Sequence, residues 1–132
     1  MIVLDTHALV WWIGGNARLS RNAAKAIRKE QSSEGRIIVS AISTWEIGML
    51  VSKGRLALAM DVDEWLQTIQ GTACIALLPL TTSAATASTR LPGTFHGDPA
   101  DRMIVATARE ENAPLVTADQ RIRRYRHIRT IW

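Results

Sequence analysis

The sequence predicts an α/β fold, a three-layer α/β/α sandwich around a mostly parallel sheet. Short apolar runs recur along the chain and are continuous rather than alternating, as strands covered on both faces require. Helical stretches separate these runs, and strands joined through crossover helices pair in parallel. No linker, repeat or low-complexity tract interrupts the 132 residues, so a single domain over 1–132 is expected.

The first expected strand is "IVL", which runs directly into Asp5. "THALVWW" follows without a turn signal and is a helix only if it begins at once. A helix over Ser20–Lys29 then leads to "RIIVS" at 36–40, the second strand. Helices over Ser43–Lys53 and Asp61–Gln70 come next, each closed by a glycine, Gly54 and Gly71. "CIALLPL" at 74–80 is the third strand and Thr82–Arg90 a further helix. The loop "LPGTFHGDP" at 91–99 precedes a helix over Pro99–Asn112, and "PLVT" at 114–117 and "IRTIW" at 128–132 supply the last two strands.

Apolar residues make up 47% of the chain and charged residues 21%, a globular balance rather than a disordered one. The apolar runs are too short to cross a bilayer, and Asp5 interrupts what a secretory leader would keep apolar. A cytoplasmic protein without membrane association is expected. Cys74 is the only cysteine, which leaves no disulfide framework and no thiolate metal site. The net charge of +4 suits an anionic partner such as nucleic acid without requiring one.

In an open parallel sheet, ligands bind beyond the carboxyl ends of the strands. The residues expected there are acids: Asp5, Glu46, Asp101 and Asp119. Carboxylates converging in one cleft repel one another and call for a cation between them. Oxygen donors without histidine or cysteine clusters favour a hard ion, Mg²⁺ or Mn²⁺, over zinc. Each acid also has a structural reading. Ser43-x-x-Glu46 is a capping box, Asp119 can cap a short helix over "QRIRRY", and Asp98-Pro99-x-Asp101 combines a cap, a proline at the first helical position and an acid favoured by the helix dipole. Face separates the cases. Asp101 shares its face with Ile104, Val105 and Ala108, and Glu46 shares one with Met49 and Leu50, so both are expected to point inward. Asp98 is expected only to cap.

Other residues have plainer roles. The tryptophans Trp11, Trp12, Trp45, Trp65 and Trp132 are expected in the core or a subunit interface rather than as base-stacking platforms. His7 is expected in a structural hydrogen bond, and His96 lies in a loop. "RIRRYRHIR" at 121–129 suits phosphate contacts, with Arg123 and Arg124 the candidates, although a solvated surface explains it nearly as well. The chain lacks G-x-G-x-x-G after its first strand and lacks a P-loop, which excludes dinucleotide-binding and P-loop enzymes. A phosphatase or phospho-receiver needs a lysine after a late strand, and Lys25, Lys29 and Lys53 are not so placed.

The segments "VLDTHALVWW", "VSAISTWEIGMLVSKGRL", "GDPADRMIVATARE", "PLVTADQRI" and "IRTIW" together resemble, in order and spacing, the PIN-domain ribonucleases of the VapC type, toxins of bacterial toxin–antitoxin pairs. The resemblance implies that Asp5, Glu46, Asp101 and Asp119 form the acidic metal site, with Thr117 a supporting hydroxyl. It further implies Mg²⁺ or Mn²⁺, an RNA substrate, a homodimer and a small antitoxin that occupies the active-site groove. The chemistry expected is metal-assisted hydrolysis of an RNA phosphodiester. Alternatives are a non-catalytic module that only binds RNA or a partner, and a DNA-directed metal nuclease.

Overall fold

The computed structural model describes residues 1–132. Five strands form one sheet: β1 (Ile2–Leu4), β2 (Ile37–Ser40), β3 (Ile75–Leu78), β4 (Leu115–Val116) and β5 (Thr130–Ile131). Their order is β3-β2-β1-β4-β5, and every pairing is parallel. The chain moves outward from β1 through β2 to β3, then returns to the other side of β1 for β4 and β5. The order therefore reverses between β1 and β4, the crevice where parallel α/β sheets place ligands.

Strand residues alternate between two apolar cores, as side chains pointing to opposite faces must. Ile2, Leu4, Ile37, Val39 and Val116 face one core, where Leu9, Ile27, Ile47 and Trp65 pack against them. These come from the helices α1 (Thr6–Ile13), α2 (Arg21–Ser32), α3 (Ala41–Ser52) and α4 (Val62–Gln70). Val3, Ile38 and Leu115 face the other core with Ala84, Ile104, Val105 and Ile122. That layer is built from α5 (Thr82–Ser88), α6 (Pro99–Glu110) and α7 (Gln120–Arg123). The three-layer sandwich is as expected, with a sheet that is wholly rather than mostly parallel. Ile104 is fully buried at its centre, and truncation to Ala there would cost about 2–5 kcal/mol.

Several boundaries move for local reasons. "THALVWW" does begin a helix at once, because Asp5 adopts extended backbone and its side chain accepts from the Thr6 N–H. The expected capping box at Ser43 and Glu46 is not formed. The strand runs straight into α3, so Ser40 is the cap, accepting from the Ile42 N–H at 3.2 Å, and Ser43 lies buried inside the helix. Gly54, at φ +66°, closes α3 as foreseen: its N–H reaches the Val51 carbonyl at 3.0 Å and the Arg55 N–H reaches Leu50 at 2.9 Å. α6 ends two residues short of Asn112 because Asn112 takes φ +50° and closes the helix in the same manner, with the Ala113 N–H on the Ala108 carbonyl at 3.0 Å.

Candidate active site

β1 and β4 deliver their following residues side by side. Register pairs Leu4 with Val116, and the Asp5 N–H donates to the Val116 carbonyl at 3.0 Å. Thr117 thus meets Asp5 across the crevice, and its hydroxyl donates to Asp5 Oδ2 at 2.6 Å. Asp5 Oδ1 accepts from the Thr6 N–H at 2.7 Å. The carboxylate is only 5% exposed as a residue, and burial pushes its pKa up. The Thr117 hydroxyl opposes that rise, and the charge of Asp101 adds to it.

Asp101 comes from the first turn of α6. Its backbone N–H is capped by Asp98 Oδ1 at 2.9 Å, with Pro99 at the start of the helix, so the two acids divide roles as the sequence suggests. Asp98 is exposed; Asp101 turns inward. His96 Nε2 lies 2.6 Å from Asp101 Oδ2. Burial raises the Asp101 pKa, the His96 hydrogen bond lowers it, and the neighbouring charges of Asp98 and Asp119 raise it again. Arg102 holds the loop that carries His96: it donates to the carbonyls of Ser88, Phe95 and His96 at 2.8, 3.0 and 3.1 Å.

Asp119 caps α7, accepting from the Arg121 N–H at 2.7 Å, while its own N–H donates to Thr117 Oγ1 at 3.1 Å. Burial alone would raise its pKa, but the guanidinium and backbone N–H of Arg121 outweigh it and hold the carboxyl below its usual range. Arg121 Nη2 stands 3.0 Å from Asp119 and 3.5 Å from Asp101, bridging the two acids with a side chain that is 61% exposed.

Glu46 lies one turn beyond Ser43 on α3. Ser43 reaches the site, accepting from the Thr6 hydroxyl at 3.1 Å, but Glu46 is half-buried and forms no ion pair. The side chains as they lie gather no three acid, histidine or cysteine groups tightly enough to coordinate one ion. The reason is visible in the contacts: like charges at Asp101 and Asp119 are held by Arg121 and His96 instead. Arg123 and Arg124 are exposed just beyond.

The sequence reading missed Arg121, Arg102 and the pairing of His96 with Asp101, all of which depend on how a loop and two helices meet. The hydrogen bond expected of His7 is not made; its exposed ring leans on Trp11, with centroids 5.8 Å apart. Of the tryptophans, Trp65 is buried in the core, Trp11, Trp12 and Trp132 are half-buried, and Trp45 is 59% exposed.

A parallel three-layer α/β protein with carboxylates converging at its switch point is the class this geometry defines. The chain belongs to the PIN-domain family, whose model matches residues 2–128. Ribonuclease VapC22 of Mycobacterium tuberculosis is 41% identical over 133 aligned residues, covering 99% of this chain and 98% of that one. Among solved structures, VapBC2 from Rickettsia felis, bound to a DNA fragment from their promoter, superposes with a TM-score of 0.70 at 20% identity, covering 98% of this chain and 97% of that one. FitAcB from Neisseria gonorrhoeae gives 0.67 at 16% identity over 98% and 96% of the two chains. A toxin–antitoxin complex from Klebsiella pneumoniae gives 0.65 at 18% identity over 96% and 94%. These three show the shared fold.

Proposed function

We propose that this chain is a metal-dependent endoribonuclease and the toxin of a toxin–antitoxin pair, acting as one domain in the cytoplasm. The observation that carries the reading is the buried Asp5 carboxylate at the switch-point crevice, held by the Thr117 hydroxyl and opposed by the nearby charge of Asp101, in a chain 41% identical to Ribonuclease VapC22. Antitoxin complexes among proteins of the same fold support a small protein partner, and a homodimer is part of the proposal.

The residues fit a hard divalent ion. Every donor in the cleft apart from His96 is an oxygen, and burial, which strips water from the carboxylates, pushes the pKa of both Asp5 and Asp101 above its usual range. Asp5, Asp101 and Asp119 would hold Mg²⁺ or Mn²⁺, with Glu46 reaching in from α3. When bound, such an ion supplies an acidified water and offsets the negative charge that builds on the phosphate. The chain's own parts supply geometry. Thr117 and the Thr6 N–H fix both oxygens of Asp5, so that its carboxylate needs no reorganisation. Arg121 is exposed enough to swing from the acids onto an entering phosphate, exchanging one anion for another. His96 holds Asp101 in the inward rotamer. Single-stranded or looped RNA suits an open cleft better than an A-form helix, whose deep groove side chains cannot read.

The test is cleavage of RNA by the purified chain with Mg²⁺ or Mn²⁺, with excess EDTA, and with Asp5→Asn. Activity should need the ion and vanish in the folded variant. Undiminished cleavage in EDTA would refute metal dependence, and cleavage of DNA in preference to RNA would favour the DNA-directed reading. Expression without a partner should arrest growth, and Asp5→Asn should relieve the arrest.

A further inference from the structure

The N-terminal ends of the strands, at the opposite edge of the sheet from Asp5, carry a second charged feature. A hollow of about 410 Å³ opens between the end of α6 and the chain entering β5, lined by Arg109, Arg126 and Arg129 and by no acid. A neighbouring hollow of about 320 Å³ shares Asn112 and Arg129 with it and reaches Lys29 near the end of α2. Lys29 in turn borders a shallow depression with Lys25 and Arg28. Shared walls make these one continuous basic belt.

None of its lysines and arginines enters an ion pair. Glu30, the acid that borders the belt, is taken by the Met1 ammonium at 2.7 Å. Glu110 and Glu111 line a different hollow, beside Thr81. Arg109 and Arg129 are aimed by backbone carbonyls, those of His127 and Asn112, and keep further N–H groups free. Clustered unpaired cations repel one another and weaken the fold, so the arrangement suits a polyanion that would relieve the repulsion.

The belt also joins the cleft. The chain after Asp119 carries Arg121 at the acids, then exposed Arg123, Arg124 and Arg126, and reaches Arg129 at the far edge. We propose that this belt binds backbone phosphates of the RNA substrate away from the bond that is cut, so that an RNA long enough to reach both edges of the sheet binds more tightly than a fragment confined to the cleft. The inference rests on the ribonuclease reading. Met1 to Asp5 alone spans about 13 Å at the usual strand rise, whereas one nucleotide step along a strand is about 3.4 Å, so a dinucleotide in the cleft does not reach the belt. The unbroken run of basic residues from the belt to Arg121 at the acids favours the strand that enters the cleft, a nucleic-acid backbone, over a separate acidic protein.

The test compares the full chain with the triple variant Lys25→Ala, Lys29→Ala, Arg126→Ala, whose side chains make no internal hydrogen bond. Arg109 and Arg129 are spared because they hold backbone. Fluorescence anisotropy in EDTA, across a salt series, would use a labelled folded transfer-RNA-sized transcript, a dinucleotide and polyglutamate. For the transcript, affinity should fall about tenfold or more and the log–log salt slope should shrink by about 2–3, at about 0.7–0.9 for each phosphate no longer neutralised. The dinucleotide should lose much less. An unchanged slope, an equal loss on the dinucleotide, or polyglutamate binding as tight as the transcript would each overturn the inference, the last in favour of an acidic protein partner. A single-charge series starting from Arg126→Ala guards against a folding defect in the triple variant. Absent metal-dependent cleavage with an altered slope would sink the ribonuclease reading and leave the RNA contact; cleavage with an unaltered slope would do the reverse.

Discussion

Thr117→Val isolates the physics of the cleft, because it deletes one hydroxyl while keeping the shape of a fully buried side chain. Thr117 donates to Asp5 Oδ2 at 2.6 Å and accepts from the Asp119 N–H at 3.1 Å. A hydrogen bond to a charged group is worth about 1.5–3 kcal/mol and the missing acceptor about 1 more, so a loss of about 2–4 kcal/mol is expected at a pH where Asp5 is ionised. For a chain this size, that is a fall in Tm of roughly 6–14 °C. The loss should depend on pH. Asp5 already has a folded-state pKa above its unfolded one, so the native state keeps a proton that the unfolded state releases, and stability declines as pH rises through that window. Removing the hydroxyl moves the folded pKa further up. The deficit of the variant should therefore be small below the unfolded carboxylate pKa, where Asp5 is neutral in both states, and complete above the raised one. Denaturant unfolding with chelator present, from acidic to neutral pH, measures it. A loss under about 0.5 kcal/mol, or one identical at every pH, would refute the claim that Thr117 stabilises a buried anion.

Asp98→Ala should cost about 0.5–2 kcal/mol through the lost cap while the folded fraction still cuts RNA, whereas Asp101→Asn should stay stable and lose cleavage. Thermal melts beside cleavage assays separate them, and the reverse pattern would reassign the ligand. Arg121→Gln should tighten Mn²⁺ binding severalfold in calorimetry, since the guanidinium competes for Asp101 and Asp119; weaker binding would mean that the arginine assembles the site instead. Replacing Arg123 and Arg124 with Ala should weaken RNA binding and flatten its salt dependence without moving the cleavage sites. An unchanged slope would leave those two arginines as a solvated face.

Apolar runs made the strands legible, because a strand buried on both faces admits a polar side chain only where it finds a partner: β1 and Ile37–Val39 of β2 are apolar and buried, and Ser40 is used to cap α3. The acids at the strand ends were legible for the same reason, since Asp5 stands out at the end of an apolar run. α1 was harder, as its uniformly apolar "ALVWWI" gives no face to recognise. The cap of α3 was misplaced because "VSAIS" offers two serines, and only the direct passage from strand to helix selects Ser40. Arg121 and His96 were beyond the reach of spacing: one is placed by the turn of a four-residue helix, the other by a loop that Arg102 ties down from across α6.

Asp5 and Asp119 each cap a helix as well as lining the cleft. A lineage that abandoned catalysis would thus still be held to short polar side chains at both positions, by folding alone. Finding Asp there in a distant relative is weak testimony that the relative is active. Glu46 caps nothing and pairs with nothing, so drift should erase it first. On the proposed assignment of Glu46 to the metal site, the loss of its equivalent acid in a survey of diverged copies would mark decay into an inert fold sooner than any change at the strand tips.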